Sequence, residues 1–168
     1  MNIVLGNAIS FFGAIFLCAS CVAKTKRSLV ILQFFQCLFF AAAQVVFGKG
    51  SGAVSMSAAG VRNLTIASGH YNAVVMIMVV LFTLFFGFRF NTAGYLGLLP
   101  IGIGVFYSIA LYVTKNVRTL KIALSLLLAV WIVYSALIFD IFGTVSNTIA
   151  EVLNITTLVR LNKNVKSE

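Results

Sequence analysis

Long apolar segments alternate with short polar stretches along the whole chain. Five segments are plainly apolar and span about residues 3–23, 28–48, 71–88, 93–113 and 119–139. A helix needs roughly 17 to 25 residues to cross a hydrocarbon core of about 30 Å, and each segment has that length. Two further segments, about residues 53–69 and 142–161, are similar in length but carry polar side chains inside. The pattern predicts an all-α, polytopic membrane protein with seven transmembrane helices.

The composition agrees with lipid as the solvent of these segments. Hydrophobic residues occupy 61% of the 168 positions and charged residues only 9%. A soluble domain of this size could not cover so much apolar surface with polar groups. The twelve Lys and Arg residues lie mainly in short loops and not on a basic soluble face, so we expect a lipid bilayer and no nucleic acid as partner.

The basic residues are divided unevenly between the two ends of the predicted helices. Lys49 and Arg89 fall in loops on one membrane face, and Arg62 lies within the third segment. The remaining nine fall on the opposite face: Lys24, Lys26, Arg27, Lys115, Arg118, Lys121, Arg160, Lys163 and Lys166. Because cytoplasmic loops carry the excess of Lys and Arg, we predict an outside N-terminus and a cytoplasmic C-terminus.

The sequence repeats itself at an offset of 91 residues. Residues 52–65, GAVSMSAAGVRNLT, align with residues 143–156, GTVSNTIAEVLNIT, and seven of the fourteen positions are identical. Four helices separate matched segments, an even number, so the two repeats run in the same direction through the membrane. The predicted organisation is a three-helix repeat (1–69), a linker helix (70–92), a second three-helix repeat (93–161) and a cytoplasmic tail (162–168).

This 3+1+3 layout, the outside N-terminus and the matched Asn63 and Asn154 resemble the SWEET and PQ-loop superfamily of small-solute transporters. Within that group, length and loop pattern are similar to YgjV-type bacterial inner-membrane proteins, which implies an inner-membrane location. The resemblance implies that both asparagines contact a solute. SWEET-like sugar carriers pair each asparagine with a tryptophan on the second helix of the repeat, whereas the only tryptophan here, Trp131, lies about two turns away. Of the prolines expected in the first helix of each repeat, only Pro100 is present.

Polar side chains in the third and seventh predicted helices are the candidates for a substrate-binding site. Asn63 and Asn154 occupy equivalent repeat positions, so a pseudo-twofold axis places them opposite one another if both point inward. Their amides offer donors and acceptors to a polar solute. The alternative is that each asparagine holds its own helix bundle together by interhelical hydrogen bonds. Asn147 and Glu151 share a helix face with Asn154, and Glu151 is a candidate for binding a cationic group or a coupling proton.

Arg62 and Pro100 are the remaining candidates. Arg62 either forms an ion pair with Glu151 or extends its side chain to the membrane interface. Pro100 lies among several glycines, which indicates a kink and a possible hinge. We recognise no residue pattern typical of an enzyme, so we predict a non-enzymatic protein without a cofactor or a bound metal.

The leading hypothesis for function is a transporter of a small polar metabolite. It would act as a facilitator or a proton-coupled carrier, by alternating access between two rocking repeats. The alternative is a non-transporting membrane receptor or assembly factor with a SWEET-like helical bundle. Both need a polar interior, so the sequence leaves both open. Two fused repeats make a functional monomer plausible, with an oligomer as the alternative.

Overall fold

The computed structural model describes residues 2–21, 23, 25–114 and 117–165, and within these the side chains of all but residues 26, 117 and 161–165. The described part contains a short 3-10 helix, Gly94–Gly97, and seven α-helices: α1 (Ile3–Cys21), α2 (Lys26–Val46), α3 (Gly50–Ala67), α4 (Ala73–Arg89), α5 (Leu98–Val113), α6 (Val117–Leu137) and α7 (Ile141–Val165). The predicted all-α fold is confirmed. Of the predicted tail, only the backbone of 162–165 is described, as a continuation of α7. Lys24, Lys115 and Lys166 lie outside the described residues.

Four of the described helices are long and apolar enough to cross a membrane. They are the segments Ile3–Cys21, Arg27–Val46, Gly94–Val113 and Arg118–Leu137. The helix α4 is apolar but shorter, with 17 residues. The helices α3 and α7 are the more polar pair, as the sequence pattern indicates.

Several polar side chains of α3 and α7 point into the protein, and many of their large apolar side chains point out. Arg62 and Asn63 of α3 are buried, whereas the neighbouring Val61 and Leu64 are exposed. On α7 the buried polar residues are Ser146, Asn147 and Asn154, and the exposed apolar residues include Val145, Ile149, Val152 and Ile155. An average over the whole helix hides this division, which is why hydropathy alone underestimates both segments.

Six helices form a ring, and the seventh lies outside it. Around the ring, α1 packs against α2, α2 against α3, α3 against α5, α5 against α6, α6 against α7, and α7 against α1. The remaining helix, α4, packs against α3 and α5 from outside. Large side chains of α2 and α6, and of the residues that directly follow these two helices, fill much of the interior: Phe40, Phe47, Trp131, Tyr134 and Ile138. The side chain of Tyr134 on α6 donates a hydrogen bond to Oε1 of Gln44 on α2, at 3.2 Å.

Residues with a left-handed backbone follow three of the ring helices, and one of them is Gly69 after α3, with a φ of 78°. Gly48, with a φ of 69°, follows α2, and Phe139, with a φ of 62°, follows α6. This conformation costs a residue with a Cβ roughly 1–2 kcal/mol and costs glycine very little. At Phe139 the carbonyl oxygen accepts a hydrogen bond of 3.1 Å from Nδ2 of Asn7 on α1, which helps to hold the turn.

Candidate functional site

A small cavity lies inside the ring of helices. Its volume is about 40 Å³. Since one water needs roughly 10–15 Å³ measured in this way, the cavity has room for about three waters. All six ring helices contribute lining residues: Leu17 of α1; Gln33, Gln36 and Cys37 of α2; Ser55, Met56, Ala59, Arg62 and Asn63 of α3; Gly104 and Tyr107 of α5; Leu124, Leu127, Leu128 and Trp131 of α6; and Asn147 of α7.

The two sides of the cavity differ in polarity. The wall formed by α2 and α3 carries amide, hydroxyl and guanidinium groups, including Gln33, Gln36 and Ser55. The wall formed by α6 is apolar apart from the indole nitrogen of Trp131. A molecule that fits both walls has a polar end and an apolar body.

Arg62 supplies the only charge among the described residues that line the cavity. Its side chain is only 4% exposed. Nη1 donates a 3.1 Å hydrogen bond to Oγ of Ser108 on α5, and Nη2 lies 3.5 Å from Oδ1 of Asn63. The guanidinium carbon lies 5.0 Å from the ring centre of Tyr107, a favourable cation–π distance. Nε has no acceptor among the described residues.

The contacts of Arg62 differ from the ion pair with Glu151, which is one of the two alternatives predicted for this residue. Arg62 binds Ser108 and Asn63, and Oε2 of the half-buried Glu151 has no hydrogen-bond partner among the described residues. The predicted ion pair between them is not formed in this structure. The Arg62 side chain is buried at the cavity, and its extension to the membrane interface stays a prediction.

The matched asparagines occupy different surroundings. Asn63 lines the cavity, and its Nδ2 lies 3.7 Å from Sγ of Cys37 on α2. Asn154 is absent from the cavity lining. Its Nδ2 donates to the carbonyl oxygen of Lys121 at 2.8 Å and to Oγ of Ser125 at 2.9 Å, while its Oδ1 accepts from Nζ of Lys121 at 3.3 Å. Asn154 thus joins α7 to α6, which is the interhelical role that the sequence left as the alternative.

Of the other two residues predicted on α7, one lies at the cavity. Asn147 lines it while donating from Nδ2 to the carbonyl oxygen of Gly143 at 2.7 Å. Glu151 is not among the lining residues. The structure therefore brings together Arg62, Asn63 and Asn147 of the predicted site, and leaves Glu151 and Asn154 outside it.

Pro100 lies at a helix start and not in a helix interior. It is fully buried in the first turn of α5, directly after the 3-10 helix Gly94–Gly97. Proline costs no internal hydrogen bond there, because the first N–H groups of a helix have no internal acceptor. The predicted mid-helix kink is thus replaced by a junction between 3-10 and α geometry. The role of Pro100 as a hinge stays a prediction.

Several residues at the cavity escaped the sequence reasoning. Gln33 and Gln36 belong to an otherwise apolar segment, and their i, i+3 spacing on a membrane helix is a signal that could have found them. Tyr107 and Ser108, one turn after Gly104 on α5, gave no comparable signal. Their importance comes from contact with Arg62, which only the packing of α3 against α5 reveals.

A second set of polar contacts closes one end of the bundle, which we call the N-terminal end. Oδ1 of Asn7 on α1 accepts a 2.8 Å hydrogen bond from the N–H of Ile141, at the start of α7. Nearby, the fully buried Asp140 accepts from the N–H of Gly143 at 2.8 Å. Burial raises the pKa of the Asp140 carboxyl, while the hydrogen bond from Gly143 acts in the opposite direction.

The α2–α3 and α4–α5 connections are joined at this same end. Oγ1 of Thr92 donates to the carbonyl oxygen of Gly48 at 2.6 Å and accepts from the N–H of Gly50 at 3.2 Å. The contacts made by Asn7 and Thr92 therefore close the N-terminal end on two sides of the ring. We call these two sets of contacts the N-terminal latches.

Several membrane-crossing helices around a small polar cavity define the chain as a multi-pass membrane protein. The chain belongs to the Imp-YgjV family, described as bacterial inner membrane protein, whose family profile matches residues 4–165. The family and the inner-membrane location predicted from the sequence are thereby confirmed. Comparison with curated proteins and with solved structures finds no match.

Proposed function

We propose that this protein is a transporter of a small polar metabolite, working by alternating access between two parallel three-helix repeats. One observation carries the proposal: residues of all six ring helices line one cavity with a polar wall and an apolar wall, and the described residues of α4 contribute none. Such a cavity between repeats is where transporters of this kind bind their substrates. We further propose that the protein is not an enzyme and that a monomer suffices.

The packing of the helices supports the two repeats. If α1, α2 and α3 correspond to α5, α6 and α7, each neighbouring pair has a counterpart. The pairs α1–α2 and α2–α3 correspond to α5–α6 and α6–α7, and the α3–α5 interface corresponds to α7–α1. The helix α4 has no counterpart, as expected for a linker helix.

Individual positions support the same correspondence. Four residues of the first repeat that line the cavity have partners 91 residues later that also line it: Gln33 with Leu124, Gln36 with Leu127, Cys37 with Leu128, and Met56 with Asn147. Gly48 and Phe139, which have the same spacing, share a left-handed backbone. A pseudo-twofold axis through the cavity accounts for both observations, as in the SWEET and PQ-loop layout.

We infer that all seven helices cross the membrane. The inward polar faces and outward apolar faces of α3 and α7 are compatible with lipid, because buried polar groups need not contact hydrocarbon. The excess of basic residues at the opposite end supports an orientation with the N-terminal end outside and the opposite end in the cytoplasm.

The N-terminal latches and the size of the cavity support a closed conformation of the transporter. A cavity with room for about three waters is smaller than most metabolites, so a substrate enters only if the ring opens. The seams that must open are the two interfaces between repeats, α3–α5 and α1–α7. The first seam contains the contact of Arg62 with Ser108, and the second contains the contact of Asn7 with Ile141.

Uptake by purified protein in liposomes tests this function without knowledge of the substrate. Proteoliposomes are incubated with an isotope-labelled bacterial metabolite extract, and the trapped metabolites are identified by mass spectrometry. We expect one or a few polar metabolites to accumulate above the level in protein-free liposomes, and accumulation to be lost in Asn63→Ala. Wild-type protein that accumulates nothing beyond protein-free liposomes contradicts transport and favours a receptor or an assembly factor.

A further inference from the structure

We propose, resting on the transporter function above, that the substrate is a small organic anion whose carboxylate pairs with Arg62 and whose short apolar body lies against α6. The inference that the substrate is negatively charged rests on the positive charge of Arg62 and on its Nε donor, which has no acceptor among the described residues. The apolar opposite wall carries the inference about the body of the molecule.

Among the described residues, none with an acidic side chain contacts the buried charge of Arg62. Its side chain is 4% exposed, and its partners are the neutral side chains of Ser108, Asn63 and Tyr107. Guanidinium groups keep their charge in proteins, and a buried charge needs compensation by an opposite charge or by several strong hydrogen bonds. The three neutral contacts supply this only in part, since the Nε donor has no acceptor among the described residues.

The neighbouring groups favour an anion over a neutral molecule. The described residues that line the cavity include no Asp or Glu. Oγ of Ser55 is also buried and has no hydrogen-bond partner in the described part of the chain. Ser55 lies two helical turns before Arg62 on the same face of α3. A carboxylate between them can accept from Nε of Arg62 and from the Ser55 hydroxyl. Arginine is the residue best shaped for such a charge-assisted contact.

The apolar residues that line the cavity limit the chemistry of the substrate beyond its carboxylate. Leu124, Leu127 and Leu128 are apolar and stand opposite the α2–α3 wall. A second charged or strongly polar group directed at them would have no partner there and would be costly to bury. The small volume of the cavity agrees with a body of a few carbon atoms. The lining therefore selects a monoanion with a short aliphatic chain.

Three probes of equal size and different charge test the inference. Propanoate, propanamide and propylammonium share the same short body and carry a negative charge, no charge and a positive charge. Each is added to the purified full-length protein in a chloride-free buffer, and thermal unfolding is recorded over increasing concentration. We expect propanoate to raise the melting temperature, by about 5–10 °C at a concentration roughly 100 times its dissociation constant, and the other two to have little effect.

Variants at two arginines localise the effect. Arg62→Gln keeps a polar side chain without the charge and is expected to weaken propanoate binding by about 100-fold. Arg89→Gln makes the same change at an exposed position on α4 and is expected to leave binding unchanged. Arg62→Lys keeps the charge and is expected to retain weaker binding. If Arg62→Gln does not fold, the three-probe comparison on wild-type protein still decides the charge preference.

Each other outcome overturns the inference. Equal stabilisation by propanamide, or preferential stabilisation by propylammonium, rules out an anion site. Stabilisation by chloride equal to that by propanoate rules out selection for a carboxylate, and no stabilisation by any probe rules out a site for molecules of this size. The binding measurement is independent of transport, so propanoate binding without any metabolite uptake contradicts only the transporter function. Uptake that prefers neutral or cationic metabolites contradicts only the anion site.

Discussion

Nη1 of Arg62 on α3 donates a 3.1 Å hydrogen bond to Oγ of Ser108 on α5, and the same hydroxyl donates to the carbonyl oxygen of Gly104 at 2.8 Å. This pair joins the charged group of the cavity to one of the two seams between the proposed repeats. A ligand that draws Arg62 towards itself therefore changes a contact at the seam. In the proposed mechanism, this contact links the binding of a substrate to the opening of the α3–α5 interface.

Because Asn63 and Asn154 have different surroundings, replacing each with alanine is expected to affect stability and uptake differently. Asn154→Ala removes the hydrogen bonds that join α7 to Lys121 and Ser125 of α6. We expect it to lower the free energy of unfolding by roughly 1–2 kcal/mol and to retain uptake per folded molecule. Asn63→Ala is expected to lose uptake with a smaller change in stability. The two variants are compared by thermal unfolding in detergent and by uptake in proteoliposomes. If Asn154→Ala lost uptake with unchanged stability, Asn154 would be part of the substrate-binding site and not only a contact between helices.

The buried carboxyl of Asp140 predicts a dependence of stability on pH. Burial raises its pKa, so the folded protein holds a proton at pH values where the unfolded chain has released it. Stability therefore falls as the pH rises from the ordinary pKa of about 3.9 to the raised one, and levels off above it. Asp140→Asn keeps an acceptor for the N–H of Gly143 but does not titrate.

We expect the melting temperature of Asp140→Asn to change less than that of wild type between about pH 4 and pH 7. Asp140→Ala serves as the control for the lost helix cap. It is expected to be less stable than Asp140→Asn by about 1 kcal/mol at every pH, because neither variant titrates at this position. Identical pH profiles of wild type and Asp140→Asn would show that this carboxyl is not the source of the dependence.

The N-terminal latch formed by Asn7 predicts local protection of α7. Oδ1 of Asn7 accepts from the N–H of Ile141, and Nδ2 donates to the carbonyl oxygen of Phe139. In Asn7→Ala both contacts are lost, so we expect faster hydrogen exchange at the first turn of α7, measured by mass spectrometry. Asn72→Ala provides a matched control, because Asn72 caps α4 by accepting from the N–H of Val75. Unchanged exchange in α7 of Asn7→Ala would show that this end is held closed by other contacts.

The positions of the helices along the chain could be predicted from the sequence better than the contacts between the helices. Length and hydropathy place the helices closely, because crossing a bilayer requires a fixed number of apolar residues. The α5 region is the exception, where Gly94–Gly97 form a 3-10 helix before Pro100. The start of α5 depends on local turn geometry. A mean hydropathy over the whole apolar segment does not detect such a turn.

The candidate site was predictable only in part. The repeat drew attention to α3 and α7, and Asn63, Arg62 and Asn147 do line the cavity. Equal positions in the sequence repeat did not guarantee equal roles, because Lys121 and Ser125 on the neighbouring α6 offer hydrogen-bond partners to Asn154. The partner of Arg62 was also missed, since Ser108 lies 46 residues away along the chain. Which helix faces meet depends on packing that a single sequence does not specify.

Access to Cys37 from the two membrane faces tests alternating access most directly. Cys37 is 4% exposed and lines the cavity, so a reagent reaches it only when the ring opens. The measurement uses a Cys18→Ala, Cys21→Ala background in vesicles of either orientation, with a thiol reagent that cannot cross the membrane. A Cys37→Ser version of the same background measures unspecific labelling. The account predicts that Cys37 is labelled from both faces. Labelling from one face alone would contradict alternating access and favour a receptor with a cavity open to one side.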